Sequence, residues 1–148
     1  MEIQYNNLYI HFVLTTLNRM PLISERIRQR IEKYITGIIT NNRCYLYAIY
    51  ANPEHVHMLI SKDPNIDERD LITIIANSSE RFINEHKLVA GLFQWQQSCS
   101  AFSISKRDID KVCKYILNQK EHHSKQNYGE ECETFLHFYQ QTINKKKE

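Results

Sequence analysis

The chain has 148 residues, 42% of them hydrophobic, and a formal net charge of only +2. This composition excludes a disordered chain and fits one domain, residues 1–148, with a buried core, whereas the small net charge says little about partners. No apolar run approaches the roughly 20 residues that span a bilayer, and no secretory signal is evident, so we expect a cytoplasmic protein without a membrane segment. Four widely spaced cysteines without a C-x-x-C pair favour free thiols over a zinc site.

The first half of the chain predicts a strand, a helix and two further strands. Residues 7–16 alternate as a strand, and Ser24 is a plausible N-cap for a helix with apolar residues at helical spacing. The tyrosine-rich residues 43–50 are typical of a second strand, residues 52–53 of a turn, and residues 55–60 of a third strand. The predicted apolar face of the helix comprises Ile27, Ile31, Tyr34, Ile35 and Ile38.

The second half predicts a further helix capped by Asp67, short strands at residues 93–95 and 99–104, and helices at residues 106–123 and 130–144. The predicted apolar face of the Asp67 helix comprises Leu71, Ile74, Ile75, Ser78 and Phe82. The order strand, helix, strand, strand, helix, strand is the split βαβ pattern of ferredoxin-like domains. We therefore predict an α+β fold, a ferredoxin-like antiparallel sheet with helices on one face and an added C-terminal helix that carries Tyr115.

The motif His55-Val56-His57 begins the third predicted strand. Side chains two apart on a strand share a face, so both imidazoles should project together while Val56 faces the core. Two imidazoles on one rigid face form half of a metal site, although two unrelated polar residues on a solvated face would give the same pattern. In the predicted topology the first strand neighbours the third, and His11 is expected to support this pair or to be structural rather than to bind metal.

Tyr115 and Gln119 lie four residues apart on the long predicted helix and therefore share a helical face. A tyrosine in a helix is usually ordinary packing or surface, and this chain has nine of them. Set over two metal-bound histidines, however, the phenol could attack a phosphodiester that the metal polarises. The amide oxygen of Gln119 suits a hard cation, Mg²⁺ or Mn²⁺, and the imidazoles favour Mn²⁺.

Between residues 106 and 125 the chain has six Lys or Arg residues against three acidic residues. Basic helices often contact phosphate backbones, although many are only solvated. The candidate DNA-contact residues in this segment are Lys106, Arg107, Lys111, Lys114, His122 and His123, and Arg19 is a further candidate elsewhere in the chain.

Several further segments carry a family resemblance along with the histidine and tyrosine motifs. They are His11-Phe12-Val13, Asn18-Arg19-Met20-Pro21-Leu22-Ile23, Pro53-Glu54-His55-Val56-His57-Met58-Leu59, Trp95-Gln96, Ala101-Phe102-Ser103-Ile104-Ser105 and Tyr115-Ile116-Leu117-Asn118-Gln119 through His122-His123. On these the chain resembles, over nearly its whole length, the single-tyrosine HUH transposases of small bacterial insertion sequences and the related repeat-associated tyrosine transposases.

The resemblance implies a mechanism and an assembly. His55 and His57 would bind the divalent metal, Gln119 would be the third ligand, and Tyr115 would become linked to the 5′ phosphate of cleaved single-stranded DNA. It further implies recognition of single-stranded DNA hairpins at element ends, and a homodimer whose sites can combine histidines of one subunit with the tyrosine helix of the other. No nucleotide cofactor would be needed.

Two segments depart from the pattern of many relatives. Ser98-Cys99-Ser100 replaces a glycine-containing segment, which raises a question about backbone geometry before the tyrosine helix. Ile75-Ala76-Asn77 lacks a lysine that many relatives carry, so Arg81 could supply that DNA contact.

Two other functions remain open from the sequence. One is a domesticated or non-enzymatic binder of single-stranded nucleic-acid hairpins that stacks bases on Tyr45, Tyr47 and Tyr50. The other is a metal-dependent phosphohydrolase that uses water, which would leave Tyr115 without a role.

Overall fold

The structure is a computed structural model that describes residues 1–119. Its elements are β1 (Tyr9–Thr16), α1 (Glu25–Asn41), β2 (Tyr45–Ala51), β3 (His55–Ser61), α2 (Glu68–Glu85), β4 (Trp95–Ile104) and α3 (Ile109–Leu117), with short 3₁₀ turns at Leu17–Arg19 and Lys106–Asp108. The predicted helix at residues 130–144, the end of the predicted tyrosine helix, His122 and His123 lie outside the described residues. The chain divides into two compact units, Met1–Leu117 and Asn118–Glu148.

The four strands form one antiparallel sheet in the order β2-β3-β1-β4. The first and third strands are central neighbours, and the predicted ferredoxin-like fold is confirmed. No helix within residues 1–119 is long and apolar enough to cross a membrane.

One face of the sheet forms the main hydrophobic core against α1 and α2. Alternate residues of the central strands supply it, including Phe12 of β1 and Met58 of β3, both fully buried. The core side of α1 is an i, i+4 stripe of Ile27, Ile31, Ile35 and Ile39. The predicted stripe therefore missed Ile39 and included the half-buried Tyr34 and Ile38.

The buried face of α2 differs from the prediction in a similar way. Leu71, Ile72, Ile75, Ser79 and Ile83 are buried, whereas Ile74 is 37% exposed and Ser78 and Phe82 are only partly buried. Because residues along this helix turn by about 100° each, assigning Ile74 to the core rotated the predicted face. The packing of α2 on the sheet, which the sequence does not specify, decided between the two stripes.

The two predicted N-caps differ in what they contribute. The Asp67 carboxylate accepts a hydrogen bond of 2.7 Å from the Asp70 amide, as its cap position predicts. Ser24 does occupy the N-cap position of α1, but its side chain makes no cap hydrogen bond. Replacing Asp67 should therefore cost about 1 kcal/mol, the usual value of an N-cap.

Glu32 ties α1 to the end of β2. Its carboxylate accepts a hydrogen bond of 3.2 Å from the Ala51 amide and pairs with the Arg28 guanidinium at 2.8 Å. Burial raises the pKa of the Glu32 carboxyl even though the Ala51 amide and Arg28 both lower it. Loss of solvation therefore destabilises the charged form of Glu32 by more than its two partners stabilise it.

Residues 95–104 form one ten-residue strand, β4, rather than the two short predicted strands. Pairing runs from Tyr9 opposite Ile104 to Leu14 opposite Cys99, followed by an irregularity before Thr16 meets Trp95. The gap between the two predicted strands, residues 96–98, falls at this irregularity, and the strand continues through it. The segment Ser98-Cys99-Ser100, which differs from the glycine-containing segment of many relatives, lies inside this strand.

The helix α3 begins at Ile109, after a 3₁₀ turn, and not at residue 106 as predicted. Its buried residues are Ile109, Val112 and Ile116, and it packs against β2 and β3. None of these residues belongs to the core beneath α1 and α2. The helix therefore covers part of the opposite face of the sheet, which carries the histidines.

Candidate active site

His55 and His57 project from the same face of β3, away from the main core. Their ring centroids lie 4.8 Å apart, with the rings nearly perpendicular, and their exposures are 0% and 1%. The intervening Val56 points into the core and is fully buried. The predicted alternation is confirmed, and the alternative of two unrelated polar residues on a solvated face is wrong, because both histidines are buried.

His11 of β1 completes a row of three buried imidazoles. Its Nε2 lies 3.0 Å from Nδ1 of His57, a hydrogen-bonding distance, and its own exposure is 0%. The β1–β3 register, which pairs His11 with Leu59 and Val13 with His57, places the two histidines diagonally on one face. His11 therefore touches one of the paired histidines directly, as the topology predicted.

The turn before β3 holds the ring of His55. Nδ1 of His55 lies 2.9 Å from the Glu54 carboxylate and its Nε2 lies 3.2 Å from Nδ2 of Asn52. A carboxylate accepts and an amide nitrogen donates, so both contacts favour one tautomer, with the proton on Nδ1 and the lone pair on Nε2. Sequence reasoning missed this role of Asn52 and Glu54, although their position in the turn immediately before His55 was a usable signal.

Backbone contacts fix this turn at the end of the sheet. The Glu54 carbonyl accepts a hydrogen bond from the Thr16 backbone amide at 2.9 Å, and the Thr16 hydroxyl donates to the Met20 carbonyl at 2.7 Å. The Asn52 amide donates to the His55 carbonyl at 2.8 Å. The end of β1 and the start of β3 thus form one rigid corner around His55.

Tyr115 approaches the histidines from α3. It is partly buried, and its ring centroid lies 6.2 Å from that of His57 in a nearly perpendicular arrangement. Val112 and Ile116 anchor the helix, so the phenol stands beside the packing face rather than within it. Two elements far apart in sequence therefore bring a tyrosine and the histidine pair together within one chain.

Gln119 belongs to the second compact unit, Asn118–Glu148, and its side chain is buried. Its predicted role as a metal ligand stays a prediction. Within residues 1–119 no three His, Cys, Asp or Glu side chains are grouped to hold a metal ion. The two imidazoles of β3 would therefore need a further ligand of another type to hold a divalent cation.

The basic candidates fall on different parts of the molecule. Lys106, Arg107, Lys111 and Lys114 are exposed on α3 or the turn before it, and Lys111 lies one helical turn before Tyr115. Arg19 is exposed in the loop that follows β1, where β1 meets the start of β3. Arg81 is exposed on α2, which packs on the other face of the sheet from the histidines.

Two thiols on α3 and β4 are poor nucleophiles. Burial raises the pKa of Cys113 on α3, with a smaller contribution from Asp110. Desolvation raises the pKa of Cys99 on β4, which lies opposite Leu14 and so on the other face of the sheet from the histidines. Both thiols therefore stay protonated near neutral pH, so neither of these two cysteines competes with Tyr115 as the nucleophile.

Comparisons with known proteins identify a family and similar folds. A model of the family "Transposase IS200 like" matches residues 4–119. A candidate transposase from Deinococcus radiodurans has a similar solved structure, with 20% identity and a TM-score of 0.62, covering 80% of this chain and 96% of that one. The structure of a REP-associated tyrosine transposase bound to a REP hairpin is similar at 15% identity and a TM-score of 0.60, covering 83% of this chain and 74% of that one.

No protein of curated function matches the chain. The two solved structures are too distant in sequence to show more than a shared fold. The family model is broader evidence, because it spans most of the chain and includes both the histidine strand and the tyrosine helix. The chain therefore belongs to the family of IS200-like transposases.

Proposed function

We propose that this transposase cleaves and rejoins single-stranded DNA at element ends, with Tyr115 as the nucleophile, through a 5′-phosphotyrosine intermediate. The observation that carries the proposal is the approach of the Tyr115 ring to His57, at 6.2 Å between centroids. A phenol beside a buried pair of imidazoles has the parts needed for phosphoryl transfer. A cytoplasmic location would give the protein access to its DNA substrate.

The proposed cleavage is a transesterification. The Tyr115 oxygen bonds to the scissile phosphorus and loses its proton to solvent, while the bond from phosphorus to the 3′ oxygen breaks and that oxygen takes up a proton. Rejoining is the reverse reaction, in which a 3′ hydroxyl attacks the phosphotyrosine and releases the phenol. One ester replaces another at each step, so no nucleotide cofactor is required.

His55 and His57 would hold a divalent cation, Mg²⁺ or Mn²⁺, with Gln119 as the third protein ligand. When bound, the metal would polarise the phosphate and offset the charge that develops on it. The fit rests on the tautomer of His55, whose Nδ1 faces the Glu54 carboxylate and whose lone pair therefore lies on Nε2. The side-chain amide of Asn52 donates a hydrogen bond to that same Nε2, and this bond would have to break before a metal ion could bind to the nitrogen.

The proposed substrate is a single-stranded hairpin. A distant structural neighbour was solved bound to a REP hairpin, which supports this substrate class for the family fold. The exposed lysines of α3, Lys111 and Lys114, lie on the helix that carries Tyr115 and could neutralise phosphates close to the reacting group. Arg81 lies on the opposite layer, so any contact it makes would be with DNA outside the cleavage site.

We also propose a homodimer that pairs through β4. This strand is an edge of the sheet, is ten residues long and contains no charged residue or proline. Its residues from Gln96 to Ala101 are all exposed. Proteins usually protect such edges with charge, proline or cover, so a second copy of the strand is a suitable partner.

A non-enzymatic hairpin binder is the second candidate function. Tyr45 and Tyr47 are 64% and 41% exposed on the other edge strand, and their rings pack edge to face at 4.9 Å, which favours contact with bases. Tyr50, the third member of the predicted platform, is instead partly buried beneath the Arg28 guanidinium at 4.7 Å. The platform is therefore smaller than predicted, and a binder would leave the pairing of Tyr115 with His57 unexplained.

A denaturing gel with labelled hairpin DNA and Mn²⁺ separates these functions. The wild-type protein should form a covalent DNA adduct, Tyr115→Phe should bind the hairpin without forming one, and Tyr34→Phe on α1 should behave as wild type. A persistent adduct in Tyr115→Phe would assign the nucleophile elsewhere. Binding without cleavage by the wild type would support the second candidate, and cleavage without an adduct would indicate hydrolysis by water.

A further inference from the structure

We propose that His11 is a positioning residue for His57, whose ring lies beside that of Tyr115. In this arrangement Nε2 of His11 accepts the Nδ1 proton of His57, which keeps the lone pair of His57 on its Nε2. The inference rests on the proposed metal-binding function. It assigns to His11 the role of keeping Nε2 of His57 unprotonated, so that this nitrogen can bind the metal.

The distance between the two rings limits the possible proton positions. Nitrogens 3.0 Å apart share one proton, so either His57 donates from Nδ1 or His11 donates from Nε2. Two donors would face each other if both rings were charged, and burying such charges without compensation is costly. In the second arrangement His57 would carry its own proton on Nε2, and that nitrogen could not bind a metal.

The neighbouring His55 selects between these alternatives. Its contacts with Glu54 at 2.9 Å and with Asn52 at 3.2 Å place its lone pair on Nε2. The two imidazoles can serve one cation in the same way only if His57 adopts the same tautomer. At Nδ1, His55 faces the Glu54 carboxylate, whereas His57 faces the His11 imidazole. His11 is therefore the acceptor that would hold the proton of His57 on Nδ1.

The strand β1 holds His11 where it can do this. His11 is fully buried, and its strand is paired on both sides, with Leu59 of β3 and Phe102 of β4 as its register partners. The Phe102 ring packs against the imidazole at 6.1 Å between centroids. A ring confined on three sides presents its acceptor nitrogen at a fixed point, which is what orientation of a ligand requires.

Two substitutions of similar polarity distinguish positioning from packing. In His11→Gln the amide oxygen can reach the place of the lost Nε2, whereas in His11→Asn the shorter side chain cannot. Phe102→Leu is the control, since it changes packing around His11 without removing the acceptor. All four proteins are compared by thermal melting, so that only folded variants are interpreted.

The first measurement is the tautomer of His57 in the metal-free protein, read from long-range ¹H–¹⁵N NMR correlations of the imidazoles. The wild type, His11→Gln and Phe102→Leu should carry the His57 proton on Nδ1, and His11→Asn should show a changed or mixed tautomer. His55 should keep its tautomer in every protein. A wild-type His57 protonated on Nε2, or an unchanged His57 in His11→Asn, would overturn the proposal.

The second measurement is Mn²⁺ affinity by calorimetry. Loss of a group that orients a metal ligand typically weakens binding about 10–100-fold, so His11→Asn should fall in this range while His11→Gln stays within about threefold of wild type. Equal weakening in both variants, or none in either, would overturn the positioning role. Absence of Mn²⁺ binding by the wild type, with the expected tautomers, would refute the metal in the proposed function and leave the His11–His57 assignment supported.

Discussion

Truncation of His57 should destabilise the fold as well as abolish cleavage. From the sequence alone, the histidines leave the core face, and their replacement by alanine is expected to cost little stability. The structure changes this expectation, because His57 is only 1% exposed and its Nδ1 is hydrogen-bonded to His11. The prediction for His57→Ala is therefore a folded but clearly less stable protein.

The magnitude follows from two losses. Removing the buried ring leaves a cavity of roughly 60 Å³, which at about 24 cal/mol per Å³ costs about 1.4 kcal/mol. His11, fully buried, also loses a hydrogen-bond partner, which costs about 1–3 kcal/mol. The sum is about 3 kcal/mol, and it would lower the urea midpoint by roughly 1.5 M for a typical slope of about 2 kcal/mol per M.

Urea unfolding of the metal-free protein, followed by far-ultraviolet circular dichroism, measures this loss. The matched control is His86→Ala, which removes an exposed histidine at the C-cap of α2 and should change stability by no more than about 0.5 kcal/mol. Equal midpoints and slopes for His57→Ala and the wild type would refute the reasoning from burial. A loss as large in His86→Ala would show that the effect is not specific to the histidine face.

Three further outcomes are expected. Lys111→Gln should flatten the slope of log K for hairpin binding against log salt by roughly 0.7–0.9, whereas Lys33→Gln on α1 should leave it unchanged; equal slopes for both variants would remove Lys111 from the interface. Mixing Tyr115→Phe subunits with His57→Ala subunits should restore no cleavage, because Tyr115 lies beside His57 within a single chain and each site would then lack one of the two residues. Restored cleavage in a confirmed heterodimer would establish crossed sites. Burial raises the pKa of the Glu32 carboxyl in the folded protein, so its contribution to stability is fully present below its unfolded pKa and is lost as the pH rises through its folded pKa. Between about pH 4 and about pH 7, the urea midpoint should therefore fall less in Glu32→Gln than in the wild type. Equal falls in the two proteins would contradict this.

The sequence by itself determined the element order and the local chemistry. Alternation in β1 and β3 assigns Phe12 and Met58 to one face and the histidines to the other, because strand side chains alternate whatever the strand packs against. The same periodicity places Val112 and Ile116 on the packing side of α3 and Tyr115 beside it. The family resemblance carried by these motifs agrees with the match to the IS200-like transposase model.

Only the tertiary structure decided what surrounds those residues. Docking of α3 on β2 and β3 brings Tyr115 to His57 and helps to bury the face that carries the histidines. No local pattern specifies where a helix docks. Pairing with β1 at Trp95 and again from Cys99 onward joins the two predicted short strands into one. The contacts of Glu54 with His55 and of His11 with His57 likewise depend on a turn and a register set by the assembled sheet, since hydrogen bonds form between atoms that only the complete fold brings within about 3 Å.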